Sequence, residues 1–175
     1  QMSADARFRG PLDSANISAT ATAQGLRIGN PQVDKVIGGQ SQLSADLSFQ
    51  DGKLRINAAR LTNPELSADL SGLADSTRQT LDIKASLRNL GVILPDFPGP
   101  LTLTGAVVNQ GADAAVDLEV KGPGGINAVI TGKVAAGRGD LAIKGQGHAA
   151  LSNVFITPRA VSGDLGFDLR LNGPL

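Results

Sequence analysis

The sequence predicts an all-β chain: a curled, mainly antiparallel sheet of about a dozen short strands, with a closed sandwich or barrel as the alternative. Three observations carry this expectation. Apolar and polar residues alternate with a period of two in run after run. Turn-forming residues separate these runs at intervals of about 8 to 12 residues, the spacing of a meander. Glycine is abundant, 22 of 175 residues, and no set of long amphipathic helices is present to cover a dozen half-apolar strands.

The cleanest alternation runs from Val161 to Asn172. Val161, Leu165, Phe167, Leu169 and Leu171 share one parity, and Ser162, Asp164, Asp168, Arg170 and Asn172 share the other. A helical period starting at Val161 would demand apolar residues where Asp164 and Asp168 stand, so the strand period wins. Leu43, Ala45, Leu47 and Phe49 alternate with Ser44, Asp46, Ser48 and Gln50 in the same way. Leu81, Ile83, Ala85 and Leu87 alternate with Asp82, Lys84, Ser86 and Arg88, and Ala114, Val116, Leu118 and Val120 oppose Asp117, Glu119 and Lys121. Weaker alternation covers Ala4–Arg9, Ile17–Gln24, Leu54–Ala59, Ile126–Val134 and Leu141–Gly145, the last two placing Ile130, Val134, Leu141 and Ile143 on the apolar parity. One wet and one dry face per strand is the pattern of antiparallel sheets.

Turns are expected at Asp51-Gly52, Asn63-Pro64, Gly111 with Asp113, Gly122 to Gly125, Gly137 to Asp140 and Gly173-Pro174. Two stretches resist the strand reading. Asn30-Pro31, followed by Gln32 to Ile37 and Gly38-Gly39, has an N-cap, a proline at the first helical position and a glycine stop, so one or two helical turns fit. Asn89 to Pro98 fits a short helical turn or an irregular plug. Repetition is loose: GPL occurs at residues 10–12, 99–101 and 173–175, and SADL at 44–47 and 67–70. The unequal intervals between the GPL copies exclude a solenoid of fixed coil length and suit a sheet growing by similar hairpins. Residues 1–175 are accordingly read as one segment of a longer repetitive β array, whose bare edge strands are expected to pair with other copies.

Composition removes several functions. The chain has no cysteine, so it has neither a thiolate metal site nor a cysteine nucleophile. Sixteen basic and 16 acidic residues leave no electrostatic footprint for nucleic acid, and five Phe without Tyr or Trp make a poor stacking platform. His148 is the single histidine and no G-x-S-x-G elbow surrounds any serine; it is read as a solvated residue in a loop or at a strand start. Asp117 with Glu119 and Asp164 with Asp168 fall on the wet parity, where a solvated face needs charge. The GRGD run at 137–140 is read as a hairpin tip and GPGG at 122–125 as a turn, because a strand and not a helix follows it. Asn16-Ile17-Ser18 matches a glycosylation sequon, a pattern too short to weigh. Neither catalysis, metal nor cofactor is expected.

The dry face is what remains. Its candidate lining is Leu43, Leu47 and Phe49; Leu81, Ile83 and Leu87; Val116, Leu118 and Val120; Ile130 and Val134; Leu141 and Ile143; and Leu165, Phe167, Leu169 and Leu171. Either two sheets close over it, or a curled sheet leaves a gutter for a nonprotein apolar ligand.

The stretches DGKLRINAARLTNPELSADLSG (51–72), PGPLTLTGAV (98–107), VDLEVKGPGGINAVITGKV (116–134) and NVFITPRAVSGDLGFDLRLNGPL (153–175) resemble the repetitive periplasmic region of the AsmA-like family, to which the inner-membrane subunit of the translocation and assembly module of Gram-negative bacteria belongs. The resemblance covers nearly the whole chain. It implies a β-taco gutter that passes phospholipid acyl chains between the inner and outer membranes or supports outer-membrane protein assembly. It further implies a periplasmic location, an N-terminal membrane anchor outside this segment and an outer-membrane partner met by other regions. A structural or adhesive β domain is the alternative.

Overall fold

The computed structural model describes residues 2–11, 14–27, 29, 31–75, 77–135, 137–154 and 161–174. Eleven strands form one sheet in strict sequence order, every neighbouring pair antiparallel, and the sheet curls without closing into a barrel. The sandwich and barrel alternatives therefore fall. The strands are β1 (Met2–Arg9), β2 (Ser14–Gln24), β3 (Gln40–Gln50), β4 (Lys53–Thr62), β5 (Leu66–Ala74), β6 (Arg78–Leu87), β7 (Leu101–Gln110), β8 (Asp113–Gly122), β9 (Ile126–Ala135), β10 (Arg138–His148) and β11 (Asp164–Pro174). One helix, α1 (Pro31–Ile37), sits between β2 and β3.

A meander places every other connection on the same rim, and the two rims differ. One rim carries the short connections, of two to four residues each, at 10–13, 51–52, 75–77, 111–112 and 136–137. Asp51 (φ 52°) and Gly52 (φ 73°) are both left-handed, the backbone of a two-residue hairpin whose twist matches the strands. At 75–77 the Asp75 carboxylate accepts the backbone N–H groups of Thr77 (2.8 Å) and Arg78 (2.7 Å). These donors favour its charged form and hold its pKa below the usual carboxylate value.

The opposite rim carries residues 25–39, 63–65, 88–100, 123–125 and 149–163, in which long connections (15, 13 and 15 residues) alternate with three-residue ones. The long connections begin 63 and 61 residues apart, so the array repeats every four strands, a period the GPL copies do not report. Two of those copies end a strand on the short-turn rim, whereas Gly99 and Pro100 precede β7 on the other.

Each long connection contains a helical piece: α1, a 3-10 turn at Leu90–Val92 and a 3-10 stretch at Ala149–Val154. The helical expectations for 32–37 and 89–98 thus hold, while Asn30 lies outside the described residues. Together these pieces form a ridge. Asn63 Oδ1 accepts from the N–H groups of Glu65 (2.9 Å) and Leu66 (2.6 Å), and its Nδ2 donates to the Val36 carbonyl (3.1 Å), pinning α1 to the 63–65 turn. The Arg88 N–H donates to the Glu65 carbonyl at 2.7 Å, which joins the next connection. Asn89 Oδ1 then closes that connection by accepting from Gly91 and Gly99, both at 3.0 Å. Gly99 lies against Pro123, and Leu151 packs on Gly124, where no Cβ would fit. Asn63→Ala removes three hydrogen bonds from a half-buried site and should lower stability by about 1–3 kcal/mol, measured as a fall in the urea midpoint at unchanged m-value.

Several strand boundaries differ from expectation. Of the hairpin tip expected at Gly137 to Asp140, Arg138, Gly139 and Asp140 instead open β10, paired with Ala135, Val134 and Lys133 on β9. The last strand begins at Asp164, not Val161, because Asn153 holds Val161 in the connection by accepting its N–H (2.7 Å) and donating to its carbonyl (3.2 Å). Gly173 and Pro174 are the end of β11, paired with Gly139 and Arg138, and do not form a turn there. His148 closes β10 instead of opening a strand or lying in a loop. Residues 155–160 and 175 of the last family-like stretch lie outside the described residues.

Candidate apolar gutter

The register decides which side chains share a face, since directly paired residues point the same way. One unbroken row crosses the whole sheet: Ala6, Ala19, Ala45, Ala59, Leu70, Ile83, Gly105, Leu118, Ile130, Ile143 and Leu169. The neighbouring row runs Phe8, Ile17, Leu47, Ile56, Gly72, Leu81, Val107, Val116, Gly132, Leu141 and Leu171. No charged residue stands in either. All 17 expected lining residues fall on this face, including Phe49, Leu43, Val120, Val134, Leu165 and Phe167 in the flanking rows. The face also collects Phe8, Ile17, Leu54, Ile56, Leu61, Leu66, Leu70, Leu101, Leu103 and Val107, which the candidate lining did not include.

Among the described residues the middle of this face stays half-exposed or exposed. Leu43, Leu165, Leu169 and Leu171 are 46–54 % exposed, and the other expected lining residues are half-exposed. Leu87 is the exception. At 6 % exposure it is closed off at the rim where the ridge runs, so it is a ridge-foundation residue and not an open lining position. Val36, Ser41, Pro123, Gly147 and Ala149 are buried at the same rim. Among the described residues the burial thus gathers mainly at the ridge, with Ala15 (3 %) and Gly139 buried beside the short-turn rim.

Its bend has a local cause. Register slips occur between Asp46 and Leu47 on β3 and between Ile56 and Ala59 on β4, and such bulges bend a strand and increase twist. Beyond β4, glycines take over on alternate strands. Gly105 (φ 148°) on β7 and Gly132 (φ 151°) on β9 face the gutter, and a Cβ at either would overlap the carbonyl oxygen of Asp117 or Asp140 on the next strand. Gly72 on β5 meets the Thr80 carbonyl in the same way. These positions lie in the two central rows, so the sheet is creased along the array axis.

The opposite face is polar and threaded with exposed ion pairs: Lys121 with Glu119 (3.0 Å), Lys144 with Asp168 (3.0 Å), Arg170 with Asp140 (3.2 Å) and Arg60 with Asp69. Each contributes at most about 1 kcal/mol at such exposure. Arg7, Arg9, Asn16, Ser18, Asp46 and Asn57 line a depression on this face. Val129 is the main apolar exposure there, 43 %.

The candidate chemistry of the sequence does not assemble. His148 Nδ1 lies 3.4 Å from an Asp164 carboxylate oxygen, and both side chains are largely exposed. The other edge of its ring lies beside Gly125, where a Cβ would approach Nε2 to 2.9 Å. Asp117 and Glu119 stand on the polar face, as expected. Gly122 ends β8 and Pro123–Gly125 forms a 3-10 turn followed directly by β9, so no helix N-terminus faces it. Among the described residues no group of three or more His, Asp and Glu side chains is placed to hold a metal ion, and no helix is long and apolar enough to cross a membrane.

Compared with known protein families, curated proteins and solved structures, the chain shows no significant match.

Proposed function

We propose that this chain is a noncatalytic gutter segment that binds phospholipid acyl chains and lets them move along the array, as part of a TamB-type, AsmA-like periplasmic protein anchored in the inner membrane. The observation that carries this reading is the unbroken apolar face of eleven strands, half-exposed over its middle among the described residues. An apolar face of this extent on one side of a single sheet wants a cover, and an acyl chain is a cover without hydrogen-bonding needs. At roughly 4.8 Å per strand interval the face extends about 50 Å along the array. Burying a 16-carbon tail contributes on the order of 10 kcal/mol gross. Because Ala, Val, Leu and Ile succeed one another along each row without a charge, the attraction is nearly uniform and sets no deep trap.

The low rim of short turns gives the lipid headgroup a way out to water while the tails lie against the face. Support for outer-membrane protein assembly would use the same face for apolar strand segments, with the outer-membrane partner met by regions beyond this chain. Mass spectrometry of lipid extracted from the purified protein tests the choice: copurifying phospholipid is expected, and protein that is consistently lipid-free in membrane-containing preparations argues against it. His148→Ala should leave lipid capture within about twofold of the parent, since the ring touches only the rim; a large loss with the fold intact would contradict a noncatalytic gutter.

A further inference from the structure

Within the strands, the polar side chains that share the gutter face among the described residues are Ser41, Gln79 and Asn109. Ser41 is buried at the ridge, where its Oγ donates to the Ile37 carbonyl at 3.5 Å. Gln79 and Asn109 stand directly opposite each other on β6 and β7, at the short-turn rim, Gln79 exposed and Asn109 half-exposed. Neither carboxamide is tied into the fold as Ser41 is. Lying at the rim does not by itself call for polarity. The equivalent places hold Ala15, Phe49, Leu54 and Ala74 on β2 to β5, and Ala114 and Val134 on β8 and β9. We infer that Gln79 and Asn109 form a donor site for the glycerol-ester and phosphate oxygens of a phospholipid whose tail lies along β6 and β7, an inference that rests on the acyl-binding reading above.

The donor chemistry and the column behind it fit one molecule. Side chains directly opposite on one face have Cβ atoms about 4.5–5.5 Å apart, and each carboxamide brings two N–H donors without a charge. Ester carbonyls and phosphodiester oxygens only accept, so they suit such a pair, and the small Ala74 and Ala114 on either side leave it uncrowded. From the pair toward the ridge, β6 and β7 present Leu81 with Val107, Ile83 with Gly105, and Ala85 with Leu103. Gly105 has no side chain and keeps the floor of this column low at its middle. The column ends at Leu87, buried beneath the ridge. From Gln79 to Leu87 it is about 27 Å long at roughly 3.4 Å per residue. A bilayer core of about 30 Å holds two opposed tails, about 15 Å each, so one tail fits between the carboxamides and the ridge. A polypeptide client would need hydrogen-bonding partners along its whole length, whereas this column offers them at one end only, as a lipid does. Two hydrogen bonds of this kind correspond to about a tenfold preference, enough for lipid to pause here without being trapped.

Two probes separate the head of the lipid from its tail: a fluorescent phosphatidylethanolamine, and a pyrene-labelled alkane that has neither ester nor phosphate. The double variant Gln79→Leu with Asn109→Leu should bind the phospholipid about tenfold more weakly and the alkane within about twofold of the parent. The exchange Gln79→Asn with Asn109→Gln keeps the donors and should restore most of the phospholipid affinity. Gln50→Leu, at the same rim but on the polar face, should change neither. A photoreactive residue at position 79 should attach to the glycerol or headgroup part of the lipid, and one at position 85, on the same face of β6, to the acyl part. Unchanged phospholipid affinity in the double leucine variant, equal loss for both probes, the same attachment point from positions 79 and 85, or capture of polypeptide in place of lipid at 79 would each overturn the donor site. If the parent binds the alkane and Leu118→Asp does not, the acyl-binding reading stands whichever way the carboxamide variants fall; a parent that binds neither probe overturns both.

Discussion

Gly105→Val is expected to destabilise the sheet by about 3–5 kcal/mol, a large fraction of the roughly 5–15 kcal/mol that holds a domain together. Two effects add. The φ of 148° is one that a β-branched residue adopts only with strain of about 1–3 kcal/mol. The new side chain also overlaps the Asp117 carbonyl and the Leu118 backbone on β8, so the β7–β8 ladder must shift. Gly166→Val, on β11, meets no neighbouring atom at its Cβ and has an ordinary φ. It should cost less than about 1 kcal/mol. Urea denaturation of the two variants separates the crease from a general intolerance of glycine replacement: equal midpoints would show that Gly105 does not set the bend.

Leu118→Asp is expected to abolish acyl binding, at least tenfold in affinity for a fluorescent phosphatidylethanolamine, while the sheet stays folded. A carboxylate in the central row must be desolvated whenever a tail lies over it. Without lipid the half-exposed position is open to water, so the penalty for the empty sheet stays near 1–2 kcal/mol, much smaller than in a closed core. Asp117→Asn on the polar face should change neither binding nor stability appreciably. Unfolding of Leu118→Asp would mean that the face is covered by protein; unchanged binding would mean that lipid does not lie on it.

Much of this architecture is legible in the residues. Period-two alternation locates β3, β6, β8, β9 and β11 and assigns their apolar parity correctly, because a one-sided sheet needs each strand to declare its own face. Alternation fails at β5 and β7. Gly72 and Gly105 interrupt the apolar series there, and Leu73 and Val108 put apolar side chains on the polar face. Those glycines are the crease, so the local pattern breaks where the global shape needs it to break. The ridge is hidden for another reason. Its residues are chosen for caps and turns at Asn63, Asn89 and Asn153, and the burial of Leu87 beneath that rim depends on chain far away in sequence. The four-strand repeat is carried by connection lengths, which GPL and SADL do not track. Three asparagine-led apolar stretches, starting near residues 30, 89 and 153, were the available signal.

The most direct test places a photoreactive residue at position 116 and, separately, at position 117 of the chain produced in Gram-negative cells. The two side chains are adjacent on β8, held by the same ladders, and differ only in the face they occupy. Irradiation followed by mass spectrometry should find phospholipid attached at 116 and none at 117. Equal capture at both positions, or none at 116 while the protein remains folded, would contradict an acyl-binding gutter.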